Sequence, residues 1–219
     1  MNKRNDIVIA IFFLINFSNI QAQKPGSGVR DLDGNYYRTV LVGNMEWMRS
    51  NLATTHYDNG DPIRLEVDSI DWVYSKEPIY TSLYNRPENS KSYGNLYNWY
   101  AINDQRNICP SGWHVATDFD WDALEYLLNS GRKTGGKLKS NEWKDDPKDV
   151  VRDSQFEALP GGYIMMGMHG LNGIVGFWWT SSTFIKGVSY ARYIQYDDNE
   201  LFRATYDNNS GLSVRCVRD

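Results

Sequence analysis

Apolar and polar positions along this chain change period several times, and each change predicts an element. Residues 36–42 and 45–48 are β-prone runs parted by Gly43-Asn44, with Asp33-Gly34 ahead of them, so the opening reads as turn, strand, turn, strand. "HYDNGDPI" adds another turn cluster, and residues 68–89 keep no clean period, so they read as irregular with room for a short helix. Leu96, Trp99, Tyr100 and Ile102, spaced by three and four, predict a short amphipathic helix. A clearer helix is predicted over 118–128. Thr117 can cap it, Asp120 follows three residues on, and Phe119, Leu124, Leu127 and Leu128 make an apolar face that Gly131 can close in the left-handed conformation. Residues 131–153 are charged and glycine-punctuated, hence mostly loop, with Trp143 tucked against the body. The runs "SYARYIQY", "LFRATY" and "LSVRCVR", parted by "DDNE" and "DNNSG", predict a C-terminal antiparallel meander of three strands. Helices in the middle and strands at the end give an α+β class.

One short run, "GFWWTSS" at 176–182, raises the question of an exposed platform. In a strand Trp178 and Trp179 point to opposite faces. The expectation is that Trp179 is buried and Trp178 is the more exposed.

The first 22 residues change the picture of where this chain works. Lys3 and Arg4 precede an apolar run at 7–17 and a small-residue site ending at Ala22, the layout of a cleaved secretory signal. The run is too short to cross a bilayer, which takes roughly 20 residues; an uncleaved anchor is the alternative. The first cysteine is Cys109, so a lipoprotein anchor is not expected. A flexible lead-in at 23–30 and one domain at 31–219 follow. The chain carries 23 Lys and Arg against 27 Asp and Glu, and losing Lys3, Arg4 and Asp6 with the leader leaves 21 against 26. A mildly acidic chain lacks the basic footprint that nucleic acid demands. Cys109 and Cys216 in an exported chain predict one disulfide, two buried free thiols being the alternative.

The blocks "CPSGWHVATDFDWDAL", "FEALPGGY", "GFWWTSS" and "SVRCVRD", with "DLDGNYYRTVLVGNMEWMRSNLAT" and "YGNLYNWYAI" before them, resemble the Fibrobacter succinogenes major paralogous domain over nearly the whole mature chain. Ala116 stands where that family usually has proline, and Gln155 where glycine is common. The family is distantly similar to the formylglycine-generating, sulfatase-modifying enzymes and, through them, to the C-type lectin fold. "HVATDFDW" is similar to their "RLPTEAEW", "WWTSS" to "WEWTSD" and "SVRCVR" to "GFRCAR". The resemblance implies an irregular C-type-lectin-like α+β fold whose chain ends meet. A disulfide from before the main helix to the last strand would fit it. It also implies a periplasmic, cell-surface or extracellular protein of a Gram-negative bacterium.

Enzyme chemistry does not carry over with the fold. Those enzymes use copper and a close pair of their own thiols, and a paired Cys109–Cys216 leaves no thiolate. His56, His114 and His169 lack a nucleophile motif, and no two carboxylates stand out as a glycosidase pair. The turns "YDDNE" and "YDNNS" offer oxygen ligands without the spacing of a calcium loop, so neither metal nor cofactor is expected. What remains is aromatic content: eight tryptophans and fifteen tyrosines can stack on sugars or anchor protein partners. Candidate ligand-binding residues are Trp178, Tyr193, Tyr196, Asp197, Asn199, Asp207 and Asn209. The expected function is a secreted, non-enzymatic module recognising a glycan or a surface protein. A divergent formylglycine-generating-type enzyme and a surface-appendage subunit are the alternatives.

Overall fold

The computed structural model describes residues 23–143 and 152–219; the leader at 1–22 and the part of the charged loop at 144–151 lie outside the described residues. The chain opens with β1 (Lys24–Pro25), β2 (Val29–Arg30), β3 (Tyr36–Tyr37), β4 (Thr39–Val42) and β5 (Met45–Met48). β6 (Arg64–Leu65), α1 (Ser69–Tyr74), β7 (Ile79–Ser82), α2 (Pro87–Tyr93), β8 (Asn95–Tyr97) and α3 (Trp99–Ile102) form its middle. β9 (Trp113–Val115), α4 (Asp118–Leu128) and α5 (Thr134–Leu138) follow, then β10 (Tyr163–Met165) and β11 (Met168–Gly170). β12 (Val175–Ile185), β13 (Val188–Gln195), β14 (Phe202–Asp207) and β15 (Cys216–Arg218) end it. The strands form a five-stranded sheet in the order β1-β4-β5-β15-β9, the meander β12-β13-β14, a sheet β6-β7-β8, and the pairs β10-β11 and β2-β3. The class is α+β.

The main helix forms where its local signals put it. The Thr117 side chain accepts from the Asp120 backbone N–H while the Asp120 carboxylate accepts from Thr117, a closed capping box. Asn129, at φ 45, supplies the left-handed cap in place of the expected Gly131. The apolar face also differs. Trp121, Leu124 and Leu128 are buried, whereas Phe119 is 78% exposed. Spacings of three and four centre the stripe on Trp121, and Phe119 lies on the far side of the helix.

Two expectations in the middle are corrected. Only residues 99–102 of the amphipathic run are helical, because Leu96 lies in β8, paired with Thr81 of β7. Asn98 marks the change: its side chain accepts from the backbone N–H groups of Ala101 and Ile79. Residues 68–89 are more ordered than their pattern suggests, holding α1, β7 and the start of α2.

The meander is displaced by one strand. Its first member is β12, which contains "GFWWTSS", and the "LSVRCVR" run leaves for the five-stranded sheet. After β14, Gly211 bridges Ile164, Leu212 bridges Tyr97 and Ser213 bridges Trp178, so the chain threads across three elements. It then enters between β5 and β9 as β15, with Val217 opposite Trp47 and Cys216 opposite Val115. That placement brings Cys216 to Cys109, just ahead of β9, and the two form a disulfide with Cα atoms 6.0 Å apart. Their separation of 107 residues corresponds to about 4–5 kcal/mol in the loop-entropy account.

The meander lies between two hydrophobic clusters. Phe177, Trp179 and Ala191 pack with Tyr97, Trp99 and the cystine on one side. Trp178 and Ile194 pack with Trp47, Trp121, Leu124 and Phe156 on the other. The two indoles do point to opposite faces, but both are fully buried, so the expectation of an exposed Trp178 is overturned. The reason is that α4 and the five-stranded sheet cover that face. Trp178 Nε1 donates to Asn51 Oδ1 at 2.9 Å, and Trp179 Nε1 to the Tyr97 carbonyl at 2.8 Å. Asn51 Oδ1 also accepts from Arg215 Nε, and the buried Arg215 guanidinium reaches the carbonyls of Met48, Phe156 and Glu157. Gly176 completes the motif, because a Cβ there would collide with the Trp178 indole and the Leu159 carbonyl.

Candidate functional site

Period-two alternation sorts the side chains of the meander. Arg192 and Arg203, directly opposite each other, face α4. Arg192 is 2.6 Å from Asp118 and from Asp122, and Arg203 lies 2.6 Å from Asp118. Burial alone would raise the Asp118 carboxyl; the Arg203 and Arg192 guanidinium groups outweigh it and hold the pKa below its ordinary value.

The other face carries rings. Phe177, on β12, is buried, and four half-buried aromatics surround it or extend from it. Tyr163 of β10 meets Phe177 edge-on at 5.5 Å, Tyr206 of β14 does so from another side at 5.5 Å, and Tyr193 of β13 leans over it at 5.5 Å. Phe202 stacks on Tyr193 at 4.9 Å with 14° between planes. Phe177 pairs with Tyr193, and Tyr193 with Phe202, in the strand registers, so the row of rings is the cross-strand register made visible. Ala191 and Ala204, opposite each other, leave the space over which Tyr206 reaches Phe177. Gly170 does the same for Tyr163, since a Cβ there would lie 2.9 Å from its ring. Burial, then the neighbouring phenols of Tyr193 and Tyr163, pushes the Tyr206 hydroxyl up to about 12.

The expected site residues do not form one site. Tyr193 belongs to the ring patch. Trp178 is withdrawn by its burial. Tyr196, Asp197 and Asn199 sit on or beside the β13–β14 turn. There the Tyr196 carbonyl accepts from Lys139 Nζ at 2.9 Å, and Gly136 N–H donates to the Asn199 carbonyl at 3.0 Å. Lys139 also lies over the Trp143 ring at 5.0 Å and helps line a cleft of about 500 Å³ with Arg49, Ser140, Arg152 and Glu157. Burial, then Arg152, pushes its pKa down to about 8. Asp207 and Asn209 lie at the other end of β14, where Asn209 donates to the Ser75 carbonyl that follows α1. Sequence reasoning missed Phe177, Tyr163, Phe202 and Tyr206 as site residues; the alternation Phe177-x-Trp179 was the available signal for the first.

The histidines hold structure together. His114 bridges Asp120 at 3.1 Å and Asp219 at 2.6 Å, and these carboxylates, Asp120 foremost, raise its pKa above the ordinary value despite burial. His169 accepts from the Tyr84 N–H and meets Asn85, while His56 pairs with Asp33. Among the described residues no group of three or more His, Cys, Asp and Glu is placed to hold a metal ion. Nor, among them, is any helix long and apolar enough to cross a membrane.

The blocks that build this framework are those of a known family: the Fibrobacter succinogenes major domain matches residues 40–218. The chain belongs to that family. The buried Trp178–Asn51–Arg215 hub, α4 with its capping box, the cystine and the whole ring patch fall inside the matched span. Gln155, where glycine is common in the family, sits at φ 51, a left-handed conformation that glycine adopts without strain. Comparison with curated proteins finds no match, and comparison with solved structures finds none either.

Proposed function

We propose that this Fibrobacter succinogenes major domain protein is an exported, non-enzymatic binding module whose ring patch takes a glycan. The observation that supports this is the grouping of Tyr163, Tyr193, Phe202 and Tyr206, half-buried around Phe177. Ring faces cover the C–H faces of sugars, and phenol hydroxyls both donate to and accept from sugar hydroxyls. In this reading residues 1–22 are a leader cleaved near Ala22, residues 31–219 are one domain of C-type-lectin-like architecture, and the cystine marks an oxidising compartment. The test is a glycan array with the mature chain, with and without calcium. The expected result is a set of bound glycans unaffected by calcium and lost in Tyr193→Ala; silence across the array refutes the reading.

A protein ligand is the second reading, and a different surface favours it. Val67, Ile70, Met166 and Met168 are 58–80% exposed, and the β10–β11 tip at Gly167 packs on Ser69 at the start of α1. Large exposed apolar side chains so grouped are a common mark of contact surfaces. Retention of envelope proteins by the mature chain, lost on Met166→Ser with Met168→Ser, checks it.

A further inference from the structure

We infer that β14 is a self-association edge: two copies of the chain join their meanders by antiparallel pairing of β14 with β14, about a two-fold axis at Thr205. The result is one continuous sheet of six strands. This does not depend on the glycan reading above.

The edge is open. β14 pairs only with β13, and its six residues run in unbroken register, whereas the pairing of β12 with β13 is interrupted by shifts. One bond fixes the direction of the unused backbone groups. Asn208 N–H donates to the Gly187 carbonyl at 2.9 Å, one step beyond the Asp207–Val188 pair. Bonded and non-bonded pairs alternate in an antiparallel ladder, so Phe202, Ala204 and Tyr206 bond to β13. The backbone N–H and C=O groups of Arg203, Thr205 and Asp207 therefore point away from it. Among the described residues, the bond made on that side is from the Ser210 N–H to the Asp207 carbonyl, which keeps a second lone pair. "FRATYD" holds neither the proline nor the lysine that often protects an edge. Its two charges are opposite in sign.

The side chains select the partner. Residues directly opposite in an antiparallel pair share a face, with Cβ atoms about 5 Å apart. With the axis at Thr205, Arg203 lies opposite Asp207 of the second copy and Ala204 opposite its Tyr206, each pair occurring twice, and the two threonines meet at the centre. Opposite charges and facing threonines are favourable cross-strand pairs, and small against large fills the space between strands. Arg203 is already aimed. Its guanidinium lies over the Tyr190 ring at 3.8 Å and beside Asp118, yet its side chain stays 47% exposed. Asp207 is exposed. An axis at Ala204 or Tyr206 would leave Arg203 opposite threonine or asparagine, and one at Arg203 or Asp207 would set like charges face to face. β14 is thus complementary to itself in one register, which points to a second copy and not to an unrelated strand as the occupant. Such an axis stands perpendicular to the sheet, so the two ring faces lie on the same side.

The experiment follows the mass of the full mature chain by sedimentation equilibrium from about 1 µM to about 1 mM, a range suited to a contact limited to one strand pair. The mass is expected to rise toward that of a dimer. Thr205→Pro removes an N–H at the open edge, leaves the bonds to β13 and should abolish the rise. Asp207→Lys and Arg203→Glu should each weaken association at least about tenfold. Their equimolar mixture should pair at least about tenfold more tightly than either alone, because it sets opposite charges face to face at both positions. Near-ultraviolet dichroism checks the fold of each variant. Arg203→Gln replaces Arg203→Glu if a glutamate beside Asp118 unfolds the chain, and the charge variants decide if the proline does. A monomer throughout the range overturns the inference. So does a dimer indifferent to a folded Thr205→Pro, or a mixture no tighter than its components.

Discussion

The two faces of the β12–β13–β14 meander are made by the same strands and closed in opposite ways. On the α4 face, Trp178 and Ile194 are fully buried and two arginines are fastened to helix carboxylates. On the ring face, Trp179 and Ala191 are just as fully buried, packed with Tyr97, Trp99 and the cystine, but Phe177 is ringed by aromatics that reach solvent. One face spends its side chains on a second layer. The other carries a second layer over Trp179 and Ala191 and gives way around Phe177 to half-buried rings. A sheet with unequal closure teaches where to look for binding: the face where packing ends before polarity begins.

The largest effect should come from the closed face. Trp178→Ala empties a packed site and strips Asn51 Oδ1 of one of its donors, so unfolding free energy should fall by about 3–5 kcal/mol in urea titration. A loss below about 1 kcal/mol would show that Trp178 does not anchor the faces as drawn. Next comes the ion cluster. Asp118→Asn should cost about 2 kcal/mol at neutral pH, because Arg192 keeps Asp122 but loses its more buried partner. The sign of its pH dependence is fixed. The Asp118 pKa is held below 3.8 in the folded chain, so its stabilisation is present above that value and fades as pH falls through the folded pKa. Asp118→Asn should therefore flatten the acid limb of the stability profile; an unchanged limb would remove the network from the comparison. On the open face Phe202→Ala should cost only about 1 kcal/mol, since it removes one stacked pair at a sheet edge. A cost matching that of Trp178→Ala would mean that the rings are core and not a surface.

How much of this was legible in the sequence depends on how local each signal is. The helix at 118–128 was legible because its cap is built from Thr117 and Asp120, three residues apart. The opening strands were legible for the same reason, with a two-residue turn between them. The destination of β15 was not: a run that alternates like its neighbours says nothing about which sheet it joins, and the bridges at 211–213 that redirect it link positions far apart. The cystine was legible from cysteine count, though its role in tying β15 beside β9 was not. Trp178 shows the limit most plainly. Alternation put it opposite Trp179, correctly, but exposure depends on what covers a face, and α4 lies some sixty residues earlier. Tyr193 was found because it sits in an evident strand. Phe177, Tyr163, Phe202 and Tyr206 were missed because their meaning lies in cross-strand contact.

The smallest effect is the sharpest test of the ring face, because it removes one oxygen. Tyr206→Phe keeps the edge-on contact with Phe177 and deletes a hydroxyl whose pKa stands at about 12. A raised pKa means that the folded chain prefers the protonated phenol. The stabilisation is whole below the ordinary value near 10 and is lost as pH climbs from there to about 12. The variant should match the parent at neutral pH and show a shallower alkaline decline, read by urea midpoints at stepped pH. The two faces would then fail at opposite ends of the scale, the α4 face in acid through Asp118 and the ring face in alkali through Tyr206. If the decline is unaltered, the phenols do not act on one another, and the three hydroxyls cannot be treated as one recognition surface.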